Sequence, residues 1–304
     1  MDHDPVSAPD WYPVELDAAR RELTWLHLPG QRFLEPFFED TIRRHRRSTP
    51  SLKTPLEILR GSNPDTPDPR AIFFHASRCG STLLMQLLGR VAGCRALSEP
   101  PIVDTLLNLP TADDELISGL IHSFAKPDGG VPPKLFLKLD CWHLPHLERL
   151  QRTFPRTPCF FLYREPEAIL RSHRRERGSQ MVPGLVDSWY FGIDPASVNP
   201  ADLDGYAERV LSAIFQQGVS AVQGGTVFPI AYSQLPEFVW EKLGPSLGLS
   251  EDGWSEAKAR AGQDAKHGHM AHASAPPSPS IRPVALELLA RFEALEAMRA
   301  ATVG

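Results

Sequence analysis

Hydrophobic residues follow two different periods along this chain. Four short, nearly continuous apolar runs, at 71–77 (AIFFHAS), 134–139 (KLFLKL), 158–163 (PCFFLY) and 226–231 (TVFPIA), suit parallel strands buried on both faces. Between them, apolar positions recur three and four residues apart over 143–154, 165–176 and 203–222, the spacing of amphipathic helices. A last helical pattern covers 284–301. Strands that alternate with helices predict a three-layer α/β fold with a central parallel sheet flanked by helices. Residues 1–60, with the aromatic anchors Trp11, Trp25, Phe33, Phe37 and Phe38, read as an N-terminal helical segment packed on that core.

Two stretches interrupt the pattern. GSNPDTPDPR, at 61–70, forbids regular structure with its three prolines and two aspartates and reads as a connector to an α/β domain over 71–304. A Gly-, His-, Ser- and Pro-rich stretch at 262–283 reads as a long loop, the kind that often serves as a lid or binding loop.

Composition narrows the function classes. A 304-residue chain that is 42% hydrophobic and 23% charged is ordinary for a globular protein. Its net charge of −5 argues against a nucleic-acid binder, despite the basic runs IRRHRR (42–47) and RSHRRERG (171–178). No apolar stretch approaches the roughly 18 residues that span a bilayer, and the acidic, Pro-rich start is unlike a secretory signal. Cys79, Cys94, Cys141 and Cys159 show no C-x-x-C spacing, which favours reduced thiols in a cytoplasmic protein.

Parallel sheets bind ligands at the carboxyl ends of their strands, so the residues leaving each run matter most. After the first run come Arg78, Cys79, Gly80, Ser81 and Thr82, opening a helix. The stretch nearly spells a Walker loop, G-x-x-x-x-G-K-[ST], but His75 stands for the first Gly and Ser81 for the Lys. Gly80 permits close backbone approach, the helix start favours an anion, and Arg78 supplies positive charge. A plain strand–turn–helix corner would look similar. After the third run, Arg164 leads into Glu165-Pro166 and a helix that bears Ser172, a plausible second phosphate clamp or simply a helix start with a neighbouring ion pair.

Taken together, HASRCGSTL and R-E-P-x5-S resemble the 5′-phosphosulfate loop and 3′-phosphate motif of the sulfotransferase superfamily. The RCGSTLL form is similar to its bacterial and tyrosylprotein branch, over residues 71–270. The resemblance implies 3′-phosphoadenosine 5′-phosphosulfate as sulfuryl donor. It further implies Glu99, in LSEPP, as general base and Lys138, in FLKLD, against the leaving oxygen. Tyr232, in AYSQL, would lie beside the adenine, and Lys266 would close over a donor phosphate. Leu139 separates Lys138 from Asp140 where the branch has Lys-Asp adjacent, so Asp140 is a rival base. Ser98–Pro101 also reads as a mere helix start, and Lys138 as a lysine reaching solvent.

Such a donor explains the missing Walker lysine. Walker-loop enzymes use it with magnesium to gather β/γ-phosphate oxygens, whereas a sulfuryl group on one 5′-phosphate offers no such pair. No metal is therefore expected, and His267, His269 and His272 read as loop residues rather than ligands. The acceptor would be a small molecule or peptide bearing a hydroxyl or amine. Residues 1–60, 180–200 and the helix-face His143 and His146 are the candidates for shaping its pocket. The rival readings are a small-molecule kinase using ATP and magnesium, and a nucleotide-binding protein without catalysis.

Overall fold

Every residue of the strand Ala71–His75 is buried, and the main sheet is built around it. Along the chain, β1 (Trp11–Asp17), β2 (Glu22–His27) and β3 (Ser51–Pro55) precede this strand, β4. It is followed by β5 (Cys94–Ser98), β6 (Lys134–Lys138), β7 (Cys159–Tyr163) and β8 (Val227–Ala231). The computed structural model describes residues 5–61, 66–127, 130–261 and 284–302. Strands β4 to β8 form one sheet in the order β5-β6-β4-β7-β8, with every pairing parallel. This is the three-layer α/β architecture that the alternating pattern predicts.

Alternate strand residues feed two cores, as the period-2 geometry of a strand requires. Phe73, Phe136 and Phe160 pack with Leu84, Leu87 and Leu88 of α2 (Ser81–Leu88), all three leucines fully buried. Each such leucine contributes about 1.5–3 kcal/mol of burial. Ile72, Phe74, Leu137 and Phe161 face the other layer, where Val210, Leu211 and Ile214 of the helix Leu203–Gln223 cover them. Gly218 of that helix lies so close to the Phe161 ring that a Cβ there would collide with it.

The strands predicted at 71–77, 134–139, 158–163 and 226–231 all form, as do helices at Pro166–Arg175, Leu203–Gln223 and Leu286–Thr302. A fifth strand, β5, joins the sheet edge; its sequence CRALS has too little apolar run to announce itself. The N-terminal expectation needs correction. Apart from α1 (Phe38–His45), residues 11–55 form a three-stranded antiparallel sheet, not a helical segment. The reason is local: in WYPVELD the apolar Tyr12, Val14 and Leu16 recur every second residue, the period of a strand, and all three are buried, as is Pro13, while Glu15 is exposed. Of the connector at 61–70, residues 62–65 lie outside the described residues, as does the loop at 262–283 with Lys266, His267, His269 and His272.

Sheet order fixes where a ligand can bind. From β4 the chain goes outward to β5, returns to β6, and then crosses to β7 and β8 on the other side. Strand order therefore reverses at β4, and the crevice beyond its carboxyl end is the usual ligand site of an open parallel sheet. No helix of the described residues is long and apolar enough to cross a membrane.

Candidate active site

All five strands of the main sheet deliver a polar or aromatic side chain at their carboxyl ends. Across the sheet these are Glu99 after β5, Lys138 ending β6, His75 ending β4, Arg164 after β7 and Tyr232 after β8. The segment 76–80 leaves the central strand and opens α2 with Gly80 as its N-cap. Ser77 (φ 61°), Arg78 (φ 48°) and Gly80 (φ 84°) are all left-handed. Two of the three are not glycine, a conformation that costs on the order of 1–2 kcal/mol per residue and that clusters at functional sites. Gly80 also has no room for a side chain: a Cβ would lie 2.8 Å from the Tyr232 ring. Helix α2 has no side-chain N-cap and no acidic residue in its first turn, so its start keeps the positive end of the helix dipole for an anion.

A carboxylate, an ammonium and an imidazole meet on the β5–β6–β4 side. Lys138, wholly buried, places Nζ 2.9 Å from Glu99 Oε1 and 3.4 Å from Thr82 Oγ1 on the loop helix. His75 Nε2 lies 3.1 Å from the same Glu99 oxygen. Burial opposes ionisation of Glu99, but the Lys138 ammonium and the His75 N–H hold its carboxyl well below the usual carboxylate range. Burial lowers the pKa of His75, and Lys138 adds to this against the pull of Glu99, so the ring is neutral. Among the described residues, both contacts fall on Oε1 and Glu99 Oε2 takes no hydrogen bond. Phe37, from the N-terminal segment, lies under the ammonium, 5.3 Å from Nζ to ring centre.

Beyond Glu99 lies a second polar group. His143 Nε2 is 2.7 Å from Asp104 Oδ1, which also accepts from Trp142 Nε1 (3.0 Å) and the Tyr190 hydroxyl (3.2 Å). Burial disfavours the Asp104 carboxylate, yet the His143 donor keeps its pKa low. Asp140 is different: burial and the charges of Glu99 and Asp104 push its carboxyl far up. Asp104, Asp140 and His143 each offer a ligand atom within 4.8 Å of the others. Both ring nitrogens of His143 are already engaged, however, Nε2 donating to Asp104 and Nδ1 accepting from the Asp140 N–H at 3.3 Å. Trp189, half exposed, stacks on Tyr190 at 4.1 Å and borders this group, as does His146, whose ring packs against both.

On the β7–β8 side, the Arg164 guanidinium lies 4.0 Å over the Tyr232 ring, and Tyr232 packs on Gly80. Among the described residues, Arg164 Nε is buried without a hydrogen-bond acceptor, and Glu165 Oε2 lies 3.7 Å from it. Ser172 lies on the helix Pro166–Arg175. The next residue, His173, reaches Ser77 Oγ at 3.2 Å, so this turn lies against the loop. Gln180 donates to the same oxygen at 3.0 Å.

The structure thus unites Glu99, Lys138 and Thr82, and separately Gly80, Arg164 and Tyr232. Two predicted loop residues point elsewhere. Arg78 donates to the Glu176 carboxylate (2.9 Å) and carbonyl (2.6 Å), which anchors the loop to the far end of the helix bearing Ser172. The Cys79 thiol is fully buried against the Leu162 carbonyl, its pKa pushed up by burial to about 11, so only its backbone can face a ligand. Sequence reasoning left His75 and Asp104 without a role. His75 was visible as the odd residue in a Walker-like loop, but its partner lies 24 positions away. No protein-family model matches the chain, and no curated protein matches it.

Proposed function

We propose that this protein is a sulfotransferase that moves a sulfuryl group from 3′-phosphoadenosine 5′-phosphosulfate to a hydroxyl or amine of a small molecule or peptide. One observation supports it above the others. Lys138 Nζ stands between an ionised carboxylate, Glu99, and the hydroxyl of Thr82 in the first turn of the helix that follows a phosphate-type loop lacking the Walker lysine. The clamp suits the donor as well: Arg164 keeps a buried N–H without an acceptor among the described residues, beside a tyrosine ring able to stack on adenine.

When bound, the donor supplies an activated sulfuryl group on a 5′-phosphate. The backbone N–H groups of 80–82 and the hydroxyls of Ser81 and Thr82 hold that phosphate, while Arg164 and Ser172 hold the 3′-phosphate. Glu99 Oε2 accepts the proton of the attacking hydroxyl or amine as its oxygen or nitrogen bonds to sulfur. Lys138 leans toward the bridging oxygen, where negative charge collects as the old S–O bond breaks. The ammonium is shared, so its shift toward the phosphate withdraws it from Glu99 and raises the basicity of the carboxylate when a base is needed. The acceptor enters past Trp189 and Tyr190. The free thiols suit a reducing, cytoplasmic setting.

Incubated with the phosphosulfate donor and no acceptor, the protein should slowly release sulfate and 3′-phosphoadenosine 5′-phosphate, equally fast with and without EDTA. Consumption of ATP with magnesium, and none of the phosphosulfate, would point to a kinase instead.

A further inference from the structure

The structure assigns His75 as a positioning residue that couples the phosphate loop to the Glu99 carboxylate through the two nitrogens of one ring. His75 ends the central strand and is 5% exposed, so its ring has no freedom to turn toward solvent. Nδ1 accepts from the Ser77 N–H at 3.1 Å. A nitrogen that accepts carries no proton, so in the neutral ring the proton sits on Nε2 and is donated to Glu99 Oε1. The tautomer is therefore set at the loop and used at the carboxylate.

What lies at each end gives the coupling its meaning. Ser77 (φ 61°) and Glu99 (φ 53°) are both non-glycine residues in the left-handed region. Each is held there by a hydrogen bond to this ring, and each has further support. The Ser77 hydroxyl accepts from His173 and Gln180, and the Glu99 N–H donates to the Lys138 carbonyl at 2.8 Å. Two strained residues on different strand ends, joined by one imidazole, form a rigid bridge between the place where the donor phosphate would sit and the group that would take the proton. The ring also keeps Glu99 an acceptor, because a neutral imidazole with its proton on Nε2 can only donate there. A glycine, usual at this point of a Walker loop, would leave both residues without that support.

The activity arm of this inference rests on the sulfotransferase reading; the tautomer arm does not. Nitrogen-15 NMR of the wild-type protein at neutral pH should show His75 with a bare Nδ1 and a protonated, slowly exchanging Nε2. Glu99→Gln should lower the His75 pKa further by removing the neighbouring negative charge. Two variants then separate the ends of the ring. His75→Gln can still donate from the Nε2 position but presents nothing to Ser77, and His75→Asn can still accept from Ser77 but cannot reach Glu99.

For His75→Gln, affinity for 3′-phosphoadenosine 5′-phosphate should fall about 10-fold with the rate at saturating donor nearly kept, as expected for one lost buried hydrogen bond. For His75→Asn, that affinity should stay within a few-fold while the saturated rate falls about 10- to 100-fold, since a bond to a charged group is lost. A proton found on Nδ1, or equal losses of affinity and rate in both variants, would overturn the coupling. If the bisphosphate fails to bind even the wild type, the donor reading falls, and the tautomer and the Glu99→Gln shift still decide the role of His75.

Discussion

Glu99→Gln should lower the rate of sulfuryl transfer by about 10² to 10⁴, the range for losing a general base, while affinity for 3′-phosphoadenosine 5′-phosphate stays near that of the wild type. The substitution keeps the size of the side chain and an oxygen for the Lys138 and His75 donors, and removes only the ability to take a proton. The rate can be followed with an acceptor or, until one is found, through donor hydrolysis. Asp140→Asn should be the milder change.

The pH profile separates the two carboxyls independently. Lys138 and His75 hold Glu99 far below the usual range, so Glu99 stays ionised at every ordinary assay pH. With Glu99 as base, the rate is flat from about pH 8 down to the ordinary histidine pKa, about 6.5. Beneath that, His75, whose pKa is depressed, takes up a proton and loses its bond to Ser77, which weakens donor binding while the bond to Glu99 and the rate at saturating donor are kept. Asp140, pushed far up by burial and by Glu99, has the opposite sign: as the base it must lose its proton, and the rate would climb with pH through that raised pKa. A climbing profile together with an intact Glu99→Gln enzyme would transfer the role to Asp140.

Arg164→Ala should weaken binding of 3′-phosphoadenosine 5′-phosphate by about 2 kcal/mol or more, near 30-fold, because a charge-assisted contact at a partly desolvated site is lost. Adenosine 5′-phosphate, which lacks the 3′-phosphate, should lose little by comparison. Some loss for both ligands is expected from the Arg164–Tyr232 stack, which orders the ring beside Gly80. The difference between the two titrations isolates the phosphate. Equal losses would make Arg164 a support for Tyr232 and nothing more.

The sequence was most legible where burial is two-sided. Four strands of the main sheet stand out because their residues are apolar on both faces, and the sites of Lys138, Arg164 and Tyr232 follow from being at or just past the strand ends. Strand β5 stayed hidden because Arg95, though buried, satisfies its charge on the Phe124 and Lys126 carbonyls, a solution that no local pattern reveals. In residues 11–55 the aromatic anchors suggested helix, whereas Trp25 packs in a strand and donates to Thr54 across the sheet. Arg78 was read as facing the ligand, yet Glu176, 98 positions on, claims it. In each case the deciding partner is distant in sequence, which is why spacing alone did not reveal it.

The central claim, that the loop after β4 holds an adenosine 3′,5′-bisphosphate without a metal, is tested most directly by thermal melts. At 100 times its dissociation constant, 3′-phosphoadenosine 5′-phosphate should stabilise the fold by about 2.7 kcal/mol, with the same rise in Tm in the presence of EDTA. ATP with magnesium should give a smaller rise. A larger shift with ATP and magnesium, abolished by EDTA, would contradict the account and make the loop a metal-dependent nucleotide site.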